Sequence, residues 1–343
     1  MVSKNYCGIA RQYMEGVLSG VIVACEWVKL ACQRQKEDLE RFAASGLYIF
    51  NEAKGNEVCR FIELLTHTKG ALAGKRIVLE PWQIFILTTS FGWRRRADGG
   101  RRFRRVYIEV PRGNGKSSLS SGVGLYCLVA DKEPGAEVYS FATTRDQAKI
   151  VFGDAKQMAK QNEPLRQRFG LEVLANALYV PATNSTFQAK SAEGSTLDGL
   201  NTHLAVIDEL HAHKTRDVYD VVETSLGKRL NSLLWVITTA GFDTSGICYE
   251  VRMMVTRVLG KEISDETQFG IIYGLDDGDD WTTEEALMKA NPNWGVSVMP
   301  EMVLSLQKKA IALPSAMNNF KTKHLNVWCS ASTAWMDMQA WKR

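Results

Sequence analysis

The chain has 343 residues, 45% of them hydrophobic and 23% charged, and its 42 basic and 38 acidic residues give a formal charge of +4. This is ordinary globular composition, with enough apolar material for one large α/β domain or two smaller ones, and the mild charge permits a nucleic-acid partner without arguing for one. Seven scattered cysteines with no C-x-x-C pair read as reduced thiols and exclude a disulfide framework or a zinc site; Glu15 and Glu26 interrupt any secretory pattern, and no apolar run approaches the roughly eighteen residues of a membrane span.

In chain order, residues 1–75 read as a helical N-terminal segment. A helix is predicted over 20–45, with Val21, Val28, Leu30, Leu39 and Phe42 on one broad face and Gly46 as its stop; a second is predicted over 55–66. Pro81 suits the first turn of a helix running to Gly92. Seven arginines then fall within 94–105 (Arg94, Arg95, Arg96, Arg101, Arg102, Arg104 and Arg105), with Trp93 and Phe103 among them. Two readings stand for this run: contact with DNA phosphates or a neighbouring subunit, or a solvated hairpin. From 105 onward, strands predicted at 105–110, 136–142, 203–210, 233–241 and within "QFGIIYG" alternate with helices at 116–130, from Thr144 as cap to Gln161, near 217–226 and near 246–259. A hairpin or irregular insertion covers "LEVLANALYV" and "NSTFQAKS". The alternation predicts a mostly parallel sheet flanked by helices, its core at 76–265, with 266–343 as the end of that core and linker helices.

"VPRGNGKSS" carries the second half of the phosphate-loop signature G-x-x-x-x-G-K-[ST], with Val110 where the first glycine belongs. Pro111, Arg112, Gly113, Asn114, Gly115, Lys116, Ser117 and Ser118 are the candidate nucleotide-binding residues. Lysine in such a loop reaches the terminal phosphates, and the following hydroxyl binds magnesium. Taken alone, the half motif stands level with a glycine turn that happens to contain Lys-Ser. "LAVIDE" supplies what it lacks: a buried strand whose C-terminal end, where ligands bind in open α/β sheets, presents Asp208 and Glu209. One acid holds magnesium through water and the other polarises the attacking water. A helix cap is the plainer reading of that pair. "VITTAG" ends the next strand with Thr238 and Thr239, either sensors of the γ-phosphate or β-branched filler. Together the three motifs predict a nucleoside triphosphatase. His211 and His213 lack further metal ligands nearby, so a structural or coupling role is better supported than zinc. Asp276, Asp277, Asp279 and Asp280 form one local run, read as a solvated loop.

"EPWQ", "VPRGNGKS", "VIDELHAH" and "TTAG", in this order, resemble the ATPase part of the large terminase subunit of tailed, lambdoid-like long-tailed bacteriophages. "KANPNWG" and the F-x-T-K-H-L-N-x-W stretch from Phe320 extend the likeness over nearly the whole chain. The resemblance implies a P-loop NTPase of the additional-strand, catalytic-glutamate type, using ATP and Mg²⁺. It implies Gln83 as the adenine-recognising glutamine with Trp82 packing nearby, Arg112 as a loop arginine answering to nucleotide state, Lys116 and Ser117 at phosphate and magnesium, Asp208 as the metal-site acid and Glu209 as the catalytic base. Thr238 and Thr239 become the motif coupling hydrolysis to DNA movement. Arg229 is the candidate for an arginine supplied across a subunit boundary, with Lys228 and Arg216 competing. The implied partners are double-stranded DNA, the capsid portal protein, the small terminase subunit and further copies in a pentameric ring, in the cytoplasm of an infected bacterium. A ribonuclease-H-type nuclease domain, present in the family, is expected to be absent, because the chain stops at "STAWMDMQAWKR", about where such a domain would begin, and Trp335 and Trp341 near the end support that expectation. Two rivals remain: a helicase-like translocase, since "DELH" resembles the helicase box, and a non-hydrolysing DNA- or portal-binding fragment switched by nucleotide occupancy.

Overall fold

The computed structural model describes residues 4–143, 145–191 and 199–330; Thr144, Trp335 and Trp341 lie outside the described residues. The N-terminal helices are α1 (Tyr6–Leu18) and α2 (Glu26–Arg41), followed by β1 (Tyr48–Phe50) and α3 (Glu52–Ile62). The predicted helix over 20–45 is thus corrected. Its first residues form a turn in which Val21 is 82% exposed, and the helix ends before Gly46, while Val28 is buried as the periodicity requires. Asn5 and Asn51 cap α1 and α3 by accepting backbone N–H groups, which sets those two starts.

α4 (Pro81–Gly92) starts at its exposed proline, closed by a reciprocal capping box between Glu80 and Gln83, and is buried from Trp82 to Gly92. Then come β2 (Trp93–Arg95), which pairs antiparallel with β1, and β3 (Arg105–Glu109). The remaining core elements are α5 (Lys116–Val129), β4 (Glu137–Ala142), α6 (Arg145–Gln161), α7 (Glu163–Phe169), β5 (Glu172–Val173), β6 (Leu178–Val180), β7 (Ser185–Ser191), β8 (Thr202–Asp208), α8 (Asp217–Ser225), β9 (Leu233–Thr238), α9 (Ile247–Leu259) and β10 (Gln268–Ile272). They build one eight-stranded sheet of order β10-β3-β9-β8-β4-β7-β6-β5, parallel from β10 to β7 and antiparallel only in the β5–β6–β7 hairpins. β8 and β9 are buried at every residue, as continuous apolar runs covered on both faces must be. β9 separates β3 from the acid-bearing β8, which is the additional-strand arrangement. α10 (Glu284–Ala290), α11 (Pro300–Ala312) and α12 (Pro314–His324) gather around a second, smaller core of Leu287, Val298, Val303, Phe320 and Leu325.

Four of the seven arginines, Arg101, Arg102, Arg104 and Arg105, are engaged within the fold, whereas Arg95 and Arg96 lie at the surface. Arg101 and Arg102 are 0% and 1% exposed. Arg101 pairs with Asp131, which also takes His203, while Arg102 meets Asp38 and Glu266 at 2.8 and 2.5 Å and lies among the rings of Phe42, Tyr48, Trp93 and Phe103. Arg104 donates to the Leu226 and Arg229 carbonyls, and Arg105 pairs with Glu223 and Asp265. These guanidiniums fasten the N-terminal helices and the loop before β9 to the N-terminal end of the sheet. The carboxylates of Asp276 and Asp279 both hold Lys289, so that acidic loop is tied down by an ion pair.

Candidate active site

The C-terminal ends of three neighbouring strands are brought level by their register. Glu109 of β3 stands opposite Thr238 of β9, and Asp208 of β8 opposite Ile237. Val110, in the place of the missing glycine, is fully buried and its N–H donates to the Thr238 carbonyl (3.1 Å). That position continues the strand and asks for no glycine. The turn after it does: Gly113 and Gly115 have φ of +88° and +76°, a region costly for a side chain, and Gly115 opens α5. Backbone N–H groups and the positive end of α5 therefore face the same space. Lys116, 7% exposed, turns its ammonium onto the Val110 and Pro111 carbonyls of its own loop (2.8 and 3.2 Å). Burial lowers its pKa, against the pull of Glu209 and Asp208.

Behind the loop stands a polar scaffold. Asn114 Nδ2 donates to Pro111 O and to Asn291 Oδ1, and Asn114 Oδ1 accepts from Asn293 N (3.0 Å). Ser297 donates to Gly113 O at 2.6 Å, and Trp82 Nε1 donates to Asn293 Oδ1 at 2.6 Å. "NPNWGVS" thus sets the loop's shape. Farther on, Asn326 joins the Ala240 N–H, the Tyr273 carbonyl and the buried Glu109 carboxylate, which Trp328 Nε1 also reaches at 3.0 Å.

Asp208 ends β8, buried, and its Oδ1 has no hydrogen-bond partner. Burial, then the neighbouring Glu209, pushes its pKa up to about 7, although Ser117 hydrogen-bonds to it. A hydroxyl beside a buried carboxylate oxygen with unused capacity is a donor set that fits a hard divalent cation. Glu209 holds a left-handed backbone (φ +51°), a conformation that non-glycine residues keep mainly where the surroundings enforce it. Its N–H donates to Ile237 O, and its Oε2 lies 3.0 Å from His211 Nδ1. Burial opposes its ionisation, but the hydrogen bond from His211 and the charges of Lys116 and Lys323 prevail and hold its pKa down to about 2. His211 also meets Thr238 Oγ1 at 3.1 Å and, through Nε2, the ammonium of Lys323 at 3.1 Å.

Most predicted residues therefore meet. Arg112 is exposed at the loop tip, its N–H held by the Lys323 carbonyl, and Ser118 lies in the first turn of α5. Thr238 and Thr239 are fully buried, and Thr239 Oγ1 lies 3.4 Å from His211 Nδ1. Gln83 lies against the loop, its Nε2 3.6 Å from where a Cβ on Gly115 would sit, while its Oε1 is engaged by the Glu80 N–H. Trp82 is buried against Tyr273. Arg229 is not brought here. It precedes β9, at the opposite end of the strands, and its guanidinium is used by Asn201, Glu133, Pro134 and Gly135. Lys228 is tied to Leu200 O, whereas Arg216, beside the acid turn, is half-exposed and pairs with Asp220 and Glu250. The sequence reading quoted the segments containing Asn291, Asn293, Lys323 and Asn326 without giving these residues roles.

Two family models match the chain: the terminase large subunit ATPase domain over residues 81–257 and the terminase large subunit endonuclease domain over 262–343. The second overturns the expectation that nuclease-domain sequence is absent. The described part of that region contributes β10 to the parallel sheet and α12 to the site; its Asp265 and Glu266 are held by Arg105 and Arg102, and its Asp276 and Asp279 by Lys289. "Protein YmfN" of Escherichia coli (strain K12) is 46% identical over 145 residues, 42% of this chain and 32% of that protein. The "Terminase, large subunit" of Enterobacteria phage HK97 is 26% identical over 293 residues, 84% of this chain and 56% of the phage protein. The crystal structure of the HK97 large terminase superposes with a TM-score of 0.70 at 26% identity, covering 80% of this chain and 55% of that one. The chain thus spans about a third and about half the length of these two relatives.

Proposed function

This chain belongs to the family of the terminase large subunit, its ATPase-domain model matching just over half of the residues, and from that premise we propose that it is a magnesium-dependent ATPase that drives double-stranded DNA into a preformed phage capsid. The carrying observation is the convergence of Lys116, Asp208 and the conformationally constrained Glu209 at level strand ends, beside a helix N-terminus. Lys116 exchanges its own loop's carbonyls for nucleotide phosphate. Ser117 and Asp208 would hold the magnesium ion, which neutralises charge on the phosphate oxygens. Glu209, ionised throughout the neutral range, orients and accepts a proton from the attacking water. Thr238 and His211 connect that base to the end of β9. Gln83 supports adenine selection through its remaining donor.

The relatives named as large terminase subunits support DNA, the portal, the small subunit and a ring of further copies as partners, working in the cytoplasm of an infected bacterium. DNA held for translocation is gripped through its backbone, without sequence reading. Among the described residues no helix is long and apolar enough to cross a membrane. The test is Glu209→Gln: nucleotide affinity is retained and turnover falls by at least about 100-fold. Retained hydrolysis sinks the base assignment, and an unaltered chain that neither binds nor hydrolyses ATP sinks the whole reading.

A further inference from the structure

Lys323 occupies the last turn of α12, within the region matched by the endonuclease-domain model, yet it faces the phosphate loop. It is 8% exposed. Its carbonyl accepts the Arg112 N–H at 2.9 Å, which fastens the end of α12 to the loop. Its ammonium has three N–H donors; one meets His211 Nε2, and the Phe242 ring lies 5.9 Å away. Among the described residues no carboxylate lies within ion-pair distance of it; the acid whose charge reaches it is Glu209, itself beside His211. Burial, then the charge of Arg112, lowers its pKa to about 8. A desolvated ammonium next to two other cations and without a carboxylate partner is costly unless an anion completes the site.

We propose that Lys323 contacts the terminal phosphate of the bound nucleoside triphosphate, as a third cation of the site beside Lys116 and Arg112, supplied by α12. This rests on the ATPase reading and adds a residue to it. The contact has a built-in relay. With Lys323 donating to Nε2, the His211 proton sits on Nδ1, facing Glu209 Oε2 and Thr238 Oγ1. Phosphate that draws Lys323 away releases Nε2, so occupancy of the terminal-phosphate position is felt at the base, at β9 and at α12 together.

The experiment compares magnesium-dependent affinities for ADP and for a non-hydrolysable ATP analogue in the whole chain and in Lys323→Met and Lys323→Arg. Loss of a charge-assisted contact weakens the triphosphate by about tenfold or more in Lys323→Met, leaves ADP within about twofold, and is largely rescued in Lys323→Arg. Equal loss for both nucleotides, which a merely structural lysine gives, or unchanged triphosphate affinity overturns the proposal. Should Lys323→Met not fold, amine acylation of the unaltered chain decides: Lys323 is modified more slowly with the triphosphate analogue than with ADP, and equal rates overturn the contact. A chain that binds no nucleotide overturns the ATPase reading and this proposal with it; binding that ignores Lys323 overturns only the latter.

Discussion

The two ends of the central sheet both bury many charges, and they use them differently. At the N-terminal end Arg101, Arg102, Arg104 and Arg105 are met by carboxylates, carbonyls and aromatic faces from segments far apart in the chain. At the C-terminal end, among the described residues, Lys116 donates to carbonyls of its own loop and Lys323 to an imidazole, neither meets a carboxylate at ion-pair distance, and Glu209 keeps an unfavourable backbone. Density of charge therefore does not locate function in this molecule. Convergence of opposite charges that the fold keeps out of ion-pair contact, beside a helix N-terminus, does.

The sharpest way to break this contrast is at the arginine end. Arg101→Ala leaves Asp131 buried without its cation and is expected to cost about 3–5 kcal/mol of stability, read by urea denaturation. A variant as stable as the parent would make the run a surface feature after all. At the other end, Asn293→Ala keeps the backbone N–H that Asn114 accepts but removes the acceptor of Trp82 Nε1 and the amide donor to Ser297 Oγ and the Asn114 carbonyl, and lets the loop drift. The expectation is a rise of about tenfold in KM for ATP with a much smaller change in unfolding midpoint than Arg101→Ala shows, because misplacement of a binding group costs affinity before it costs the fold. Gln83→Ala should lower the preference for ATP over GTP by roughly three- to tenfold, the worth of one hydrogen bond; unchanged preference would leave Gln83 as a capping-box residue only.

Much of this was legible in the sequence. Apolar runs and their period located β3, β4, β8, β9 and β10 within three residues at each end, and the strand-turn-helix context located the phosphate loop despite Val110. Asp208 and Glu209 were readable because a buried strand must deliver its last residues to the sheet's C-terminal edge. What was not legible depended on partners distant in sequence. Arg101 needs Asp131 and Arg102 needs Asp38 and Glu266, and nothing local to "RRFRR" announces them. Asn293 braces Asn114 across 179 positions, and Lys323 reaches His211 across 112. Arg229, offered for a neighbouring subunit's site, has partners equally distant from it in sequence, Glu133, Pro134 and Gly135, which already hold its guanidinium. The C-terminal region read as linker because the acids visible in it were local, while its contribution to the nucleotide site runs through amides and one lysine.

The last prediction tests whether Asp208 Oδ1 is as unpartnered as the geometry shows. Its pKa is raised to about 7 in the fold by burial and by Glu209, whereas in the unfolded chain it ionises near about 4. Between those values the unfolded chain has released its proton and the native chain still holds it, so stability is lost as pH rises through the window and stays lost above about pH 7. Asp208→Asn has no proton to release. It should match the parent at about pH 4 and melt higher by about 5 °C at pH 8. Magnesium should reverse the order at the high-pH end by stabilising the parent and not the variant, because a carboxylate must be deprotonated to bind it. A pH-independent difference between the two proteins would mean that Asp208 is already ionised in the ordinary carboxylate range, paired within the fold as the arginine end is, and the distinction between the two ends would then rest on Lys323 and Glu209 alone.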